Sequence, residues 1–146
     1  MQTTQVLVDL GADTEAENAD GATPLHYAAG RGRLTVVTLL ELGASVEARD
    51  ADQATCLHWA AAAGQVGAVQ VLVEAGAHTE AATGSGLTPL HYAASKGKVE
   101  AARSLVLYGA NAEAVDRDGV TPLQRATSKG YVEVVEALQE LCDGDV

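Results

Sequence analysis

Three histidines recur along the chain at nearly equal steps, and histidine is a common metal ligand and a common general base. His26, His58 and His91 are separated by 32 and 33 residues. If each imidazole occupies the same place in one layer of a stack, neighbouring rings lie about 10 Å apart, the spacing of packed helices. A shared metal ion needs ligand bonds of about 2 Å. We therefore predict no metal site, no cofactor and no catalytic residue.

The remaining candidates for chemistry are two cysteines, a glycine-rich stretch and several carboxylate pairs. Cys56 and Cys142 have no paired spacing and no directly adjacent base, and they lie too far apart for a disulfide, so we expect reduced thiols. Gly84-Ser85-Gly86 lacks the lysine of a phosphate-binding loop. Pairs such as Asp50 and Asp52 fit polar turns. None of these features predicts an active site.

The histidines belong to a longer signature, and its period indicates the elements that position them. Steps of 32, 33 and 33 residues separate four copies of it. The copies read Thr23-Pro24-Leu25-His26, Thr55-Cys56-Leu57-His58, Thr88-Pro89-Leu90-His91 and Thr121-Pro122-Leu123-Gln124. Self-similarity at this length is typical of a solenoid of stacked units. Such a stack presents one long surface, which favours binding over catalysis.

Each copy predicts a helix, a turn, a second helix and an extended loop. In the third copy, Thr88 can cap a helix that begins at Pro89, where the missing N–H costs nothing. Gly97 ends this helix, and a second helix follows over about 100–108. Asp118-Gly119 then marks the tip of a hairpin. The units must stack, because isolated helices below about 12 residues are marginal in water.

These residues resemble the ankyrin repeat, whose pattern runs Asp-Gly-x-Thr-Pro-Leu-His-x-Ala-Ala before a glycine and a leucine-rich helix. The stretch from Asp20 to Ala29 matches this pattern throughout. The resemblance implies an all-α fold, an α-solenoid of helix-turn-helix ankyrin repeats with connecting β-hairpin loops. It also implies that the three histidines are structural residues that hydrogen-bond the backbone of neighbouring loops. We expect one domain over 1–146, divided into an N-terminal half repeat (1–19), repeat 1 (20–51), repeat 2 (52–84), repeat 3 (85–117) and a C-terminal capping repeat (118–146).

Departures from this pattern in repeats 1 and 2 lead to two further predictions. Repeat 1 is one residue short, and the deficit falls near Val37-Thr38-Leu39, so we predict a locally irregular helix over 34–42. In repeat 2, Cys56 replaces the usual proline and Gln53 replaces the usual glycine. We therefore expect the second hairpin to be the least ideal.

Charge and hydropathy exclude several classes of partner. The formal net charge is −11, from 20 acidic and 9 basic residues, and phosphate groups would repel such a chain. We thus expect no nucleic acid and no membrane partner. No apolar run approaches the roughly 18 residues of a membrane span, and the N-terminus lacks the basic start of a signal peptide. We expect a soluble, monomeric, intracellular protein of the cytoplasm or nucleus.

Charge is also segregated by position within the repeat. Basic residues gather in the turn between the two helices of a unit, whereas most acidic residues lie on the hairpins and second helices. Two interpretations remain open: the turns carry solubilising charge, or they form a cationic stripe that meets an acidic segment of a partner. The turn residues are Arg31, Arg33, Lys96, Lys98 and Lys129.

The resemblance further implies that a partner binds in a concave groove made by the hairpin tips and the first helices. Tryptophan, tyrosine and arginine are the types that concentrate interface energy, so Trp59 is the foremost candidate. A packing role for Trp59, Tyr27 and Tyr92 remains equally open, whereas Leu87 and Val120 are expected to be exposed. The candidate partner-binding residues are Tyr27, Arg31, Arg49, Trp59, Leu87, Tyr92, Lys96, Arg117, Val120, Arg125 and Lys129.

The leading hypothesis for function is a non-catalytic protein–protein interaction module that binds through this groove. One alternative is the ankyrin portion of a larger scaffold, channel or proteasome-assembly chaperone. Another is a metal-binding protein or enzyme that uses the histidines and carboxylates, which a zinc titration tests. A third is an engineered stack with no natural partner, which partner capture tests.

Overall fold

The computed structural model describes the backbone of residues 21–143 and the side chains of residues 21–141. This part of the chain contains four helix pairs and no strand, so the all-α solenoid prediction is confirmed. The first helices are α1 (Pro24–Ala29), α3 (Cys56–Ala63), α5 (Pro89–Ser95) and α7 (Pro122–Lys129). The second helices are α2 (Arg33–Glu41), α4 (Val66–Glu74), α6 (Val99–Leu107) and α8 (Val132–Asp143). The expected half repeat over 1–19 lies outside the described residues.

Each first helix begins directly after the threonine of the signature, as predicted. In repeat 3, the Thr88 hydroxyl accepts a hydrogen bond from the His91 backbone N–H at 3.4 Å. In return, His91 Nδ1 accepts a hydrogen bond from the Thr88 N–H at 3.1 Å. This reciprocal capping box satisfies backbone donors that the start of a helix leaves without a partner. The same box forms in the other described repeats, with Gln124 replacing the histidine in the last.

The prediction of an irregular helix over 34–42 is wrong. Helix α2 has nine residues, as do α4 and α6. Its buried residues Thr35, Val36 and Leu39 keep the spacing of their counterparts in α4. The turn before α2 absorbs the missing residue instead, because Gly32 has a φ of +145°, a conformation that glycine adopts readily.

The helices stack in two layers around one continuous core. First helices pack on first helices, and second helices pack on second helices of the next repeat. Burying one leucine side chain contributes about 1.5–3 kcal/mol, which offsets the ordering of short helices that would not form alone. The fully buried leucines are Leu25, Leu39, Leu57, Leu72, Leu90, Leu105 and Leu138.

The loops between repeats are tight turns held by backbone hydrogen bonds. In the second hairpin, the Asp50 N–H donates to the Ala54 carbonyl at 2.9 Å, and an isolated antiparallel bridge joins Arg49 and Thr55. The third and fourth hairpins form the equivalent hydrogen bond. Only at Gln53, with a φ of +70°, does a described residue other than glycine have a positive φ. The second hairpin thus departs from the ideal at one backbone position.

Neighbouring hairpins are joined at their tips. The Gly84 N–H donates to the Asp52 carbonyl at 3.1 Å, and the Arg117 N–H donates to the Ser85 carbonyl at 3.1 Å. These bonds hold the described hairpins side by side, so that together with the first helices they form one surface.

Candidate partner-binding groove

The three recurring histidines join each repeat to the next. His26, His58 and His91 are fully buried. Because Nδ1 accepts the threonine N–H of the capping box, Nε2 carries the proton, and it donates to a backbone carbonyl of the following repeat. Both ring nitrogens are therefore engaged in protein hydrogen bonds. The acceptors are the carbonyls of Ala54, Leu87 and Val120, at 3.0, 2.8 and 2.8 Å.

Burial favours the neutral form of two of these imidazoles, His58 and His91. Desolvation lowers the pKa of His58 from 6.5 to about 4, with a further lowering by Arg49 that the Leu87 carbonyl and Asp50 oppose. Burial also lowers the pKa of His91. Protonating Nδ1 of His58 would break its 3.0 Å hydrogen bond from the Thr55 N–H. The capping box thus depends on the uncharged ring, whereas Nε2 can donate to the next repeat in either protonation state.

Trp59 and Arg125 occupy equivalent positions in repeats 2 and 4, and each is tied to its own hairpin. Trp59 Nε1 donates to Asp50 Oδ2 at 3.0 Å, and Arg125 Nη2 donates to Asp116 Oδ2 at 2.5 Å. In both aspartates, Oδ1 accepts two N–H groups of the hairpin. This pairing was not predicted from the sequence, although an aspartate nine residues before a tryptophan or arginine signals it.

The Asp116–Arg125 pair is an ion pair with a buried carboxylate. The Asp116 side chain is 1% exposed and that of Arg125 is 30% exposed. Burial by itself raises the pKa of Asp116, but hydrogen bonds from Val120, Arg125 and Asp118, together with the Arg125 charge, lower it overall. Arg125 is thus engaged within its own repeat.

The aromatic candidates line the first helices. The ring of Tyr27 meets that of Trp59 edge-on, with 5.3 Å between centroids, and Tyr92 meets His58 in the same way at 4.9 Å. Tyr27 is 43% exposed, while Trp59 and Tyr92 are half-buried. These three side chains pack against the stack and also present part of their surface outside it.

A depression of about 440 Å³ opens between the second hairpin and the first helices of repeats 2 and 3. Trp59 and Tyr92 supply aromatic surface to its lining, and Asp50 and Asp52 supply carboxylates. Small side chains, including Ala63, complete the lining and leave the space open. The structure therefore brings together two predicted candidates, Trp59 and Tyr92, with two acidic residues that the sequence analysis assigned to turn chemistry.

The four hairpin candidates differ in what they leave exposed. The expectation that Leu87 and Val120 are exposed is wrong: both are half-buried, and their carbonyls accept the histidine hydrogen bonds. Arg49 is exposed, but its Nη1 donates to one carbonyl of its own hairpin at 2.9 Å and one of the next at 2.8 Å. Arg117 is exposed at the tip of the last hairpin.

The candidate cations of the turns are Arg31, Lys96 and Lys129, and all three are exposed. Ala63 stands at the equivalent position of repeat 2. Lys98 is half-buried, because its aliphatic chain covers the turn glycine of repeat 2. The cationic margin of the groove, defined as Arg31, Lys96 and Lys129, is therefore interrupted at repeat 2.

Across residues 21–143, no cluster of three or more histidine, cysteine, aspartate and glutamate side chains is arranged to hold a metal ion. No helix within that range combines the length and apolar character needed to cross a bilayer.

A family model of ankyrin repeats in three copies matches residues 2–83 and 78–146. The matches span nearly the whole chain, and the protein belongs to the ankyrin repeat family. The comparison with curated proteins finds no match. Ankyrin repeats are generally modules for protein–protein interaction. The family and the broad class of function predicted from the signature are thus confirmed.

Proposed function

We propose that this chain is a non-catalytic module that binds a protein partner in the groove formed by its hairpins and first helices. The observation that carries the proposal is the row of Tyr27, Trp59 and Tyr92 on the first helices. Each ring is fixed by an aromatic contact, and the Trp59 indole is also held by Asp50. Side chains that are already ordered lose little entropy on binding, and tyrosine and tryptophan are frequent hot spots.

The distribution of charge along the groove supports one orientation of the bound partner. The cationic margin lies at the turn end of the first helices, whereas Asp50, Asp52 and Asp118 lie on the hairpins. An acidic segment of the partner lies along the cationic margin and gains association rate and orientation from it. The protein acts as a monomer in the cytoplasm or nucleus, which sedimentation and imaging of the tagged chain test.

The test begins with cross-linking mass spectrometry of the tagged chain in its source cell, followed by binding measurements with the identified partner. Tyr27→Ser is expected to weaken binding by about tenfold, the effect of losing one hot spot. Lys96→Glu is expected to weaken binding, and the loss of affinity should grow as ionic strength falls. At low salt, the repulsion between the new glutamate and the acidic segment of the partner is screened less. Helical circular dichroism should be unchanged in both variants.

Arg103→Glu provides the matched control. It makes the same change in charge as Lys96→Glu but lies on α6, where Arg103 contacts Glu100 and Glu140 outside the groove. Partner binding should be unaffected by it. Undiminished binding by both Tyr27→Ser and Trp59→Ala would contradict binding in the groove, and equal effects of the two charge reversals would contradict the acidic segment.

A further inference from the structure

The depression beside Trp59 combines two aromatic side chains with two carboxylates. We propose that it binds the cationic end of a lysine or arginine side chain carried by the protein partner. This inference rests on the proposed function, because it names the chemistry of one residue that the groove receives.

One of the two carboxylates is free to meet an incoming charge. Asp50 is largely engaged, with Oδ1 accepting two backbone N–H groups and Oδ2 accepting the Trp59 indole. Asp52 is exposed, and its carboxylate has no hydrogen-bond or ion-pair partner among the described residues. Both negative charges act within the depression, since burial and then Asp50 and Asp52 raise the pKa of the Tyr92 phenol. A bound cation would be attracted to Asp52 directly and to Asp50 at longer range.

The aromatic lining suits the same ligand. A cation near the face of tryptophan or tyrosine, within about 6 Å of the ring centre, is attracted by the π-electrons, and the attraction is stronger when water is excluded. Trp59 and Tyr92 are each half-buried, so part of each ring is available to the depression. Its volume of about 440 Å³ accommodates a guanidinium or ammonium group with part of its aliphatic stem.

The other repeats show why this place differs from its equivalents. Between repeats 3 and 4, the position of Asp50 is Thr83 and that of Tyr92 is Arg125, whose own charge would repel a cation. At the turn end, repeats 3 and 4 carry Lys96 and Lys129, but repeat 2 carries Ala63, which lines the depression. Arg49, the cation next to Asp50 in sequence, is held by two backbone carbonyls. In the described chain, carboxylates, aromatic rings and an alanine in place of the repeat's own turn cation coincide only here.

The single tryptophan of the chain gives a direct measurement. The probes are capped Gly-Arg-Gly and Gly-Lys-Gly peptides, with uncharged counterparts in which citrulline replaces arginine and norleucine replaces lysine. We expect the Trp59 indole signal in a ¹H–¹⁵N spectrum to shift saturably with the charged peptides. Affinity for the uncharged peptides should be lower by about tenfold, the loss of one charged contact.

Two variants test the charges without disturbing the core. Asp52→Asn removes the exposed carboxylate, and Ala63→Lys places in repeat 2 the cation that repeat 3 carries at the same position. Each should weaken binding of the arginine peptide by about tenfold while the helical circular dichroism is unchanged. The matched controls are Ala63→Gln, which adds a long uncharged side chain, and Asp118→Asn, the equivalent carboxylate of the last hairpin. Both controls should bind the peptide within about twofold of the parent chain.

Equal shifts with charged and uncharged peptides, or undiminished binding by Ala63→Lys, would overturn the proposal. The measurement also separates it from the proposed function. If the identified partner binds the Ala63→Lys variant normally but loses affinity on Tyr27→Ser, binding of the partner in the groove is supported and the cation site is contradicted. If the arginine peptide behaves as expected but Tyr27→Ser and Trp59→Ala leave partner affinity unchanged, the cation site is supported and binding of the partner in the groove is contradicted.

Discussion

The Trp59 indole N–H donates a 3.0 Å hydrogen bond to the Asp50 carboxylate, which links helix α3 to the hairpin that precedes it. The same aspartate holds the hairpin through two backbone N–H groups. A residue expected to provide binding surface thus also fixes the loop that forms one side of the groove. Packing and recognition, which the sequence presented as alternatives for Trp59, are compatible in one side chain.

Trp59→Phe should destabilise the fold. The substitution keeps an aromatic ring but removes the donor to Asp50, and a hydrogen bond to a partly exposed charged group contributes about 1 kcal/mol. Chemical denaturation followed by circular dichroism measures the change. Tyr92→Phe, which removes a hydroxyl from the next first helix, is the control and should leave the midpoint nearly unchanged. Equal stability of Trp59→Phe and the parent chain would show that the indole bond contributes nothing.

Gln53→Gly should stabilise the second hairpin. Gln53 has a φ of +70°, and the left-handed conformation costs a residue with a side chain about 1–2 kcal/mol, of which part is recovered as the greater entropy of glycine in the unfolded chain. We expect a net gain of about 0.5–1 kcal/mol in the free energy of unfolding.

The reciprocal change, Gly119→Gln, isolates the same backbone effect in the last hairpin. Gly119 has a φ of +75°, and an added Cβ would meet no atom within 4 Å, so strain alone should lower stability there. If both substitutions shift the denaturation midpoint in the same direction, backbone strain is not the cause.

Stability should decrease as the pH is lowered, because burial depresses the pKa of His58 and of His91. A base whose pKa is lower in the folded state than in the unfolded state stabilises the fold above its unfolded pKa and loses that contribution as pH falls through the folded pKa. For His58 this window runs from 6.5 down to about 4, and the lost free energy is about 3 kcal/mol. Urea denaturation at a series of pH values measures it.

His58→Gln should flatten part of this pH dependence. Gln124 already replaces histidine in repeat 4, where its side-chain oxygen accepts the Thr121 N–H at 2.9 Å. Glutamine can therefore keep the cap of α3 without a titrating ring. His78→Gln, at an exposed loop position, is the control and should retain the full pH dependence. An unchanged slope in His58→Gln would contradict the assignment to His58.

Arg125→Met should destabilise the last repeat by about 2 kcal/mol, because it leaves the Asp116 carboxylate buried without its cation. The double variant Asp116→Asn with Arg125→Met should recover part of this loss, since asparagine keeps an oxygen for the two hairpin N–H groups and carries no charge. A double-mutant cycle measured by thermal and chemical denaturation gives the coupling. Additive losses in the two single variants would show that the residues do not interact.

The signature was sufficient to predict the helix starts, because threonine and proline act locally. Thr88 caps α5 through contacts within three residues, and these contacts can be inferred from the sequence alone. The position of the shortened segment in repeat 1 was not predictable in the same way. Stacking fixes the register of α2 through Val36 and Leu39. The one-residue deficit therefore falls in the turn before α2, which makes no core contact that would be lost.

The groove was less predictable than the fold. The sequence placed Trp59 and Tyr92 on successive first helices, but the depression between them also needs Asp50, Asp52 and Ala54 of the second hairpin beside both rings. Leu87 was expected at an exposed tip and is half-buried, because its carbonyl must approach His58. The distance between a loop and a neighbouring helix is a property of the assembled stack and has no local signature.

The histidine bond between repeats uses only the backbone carbonyl of the residue before each threonine, and that residue is alanine, leucine or valine in turn. The hydrogen bond therefore does not depend on which side chain the residue with the accepting carbonyl carries. A tandem duplication of one unit would carry its own donor and its own acceptor, so a new copy joins the array without any compensating substitution. Mutations at this position can then alter the local shape of the groove while the bond between repeats is preserved, so that binding specificity and the number of repeats can evolve separately.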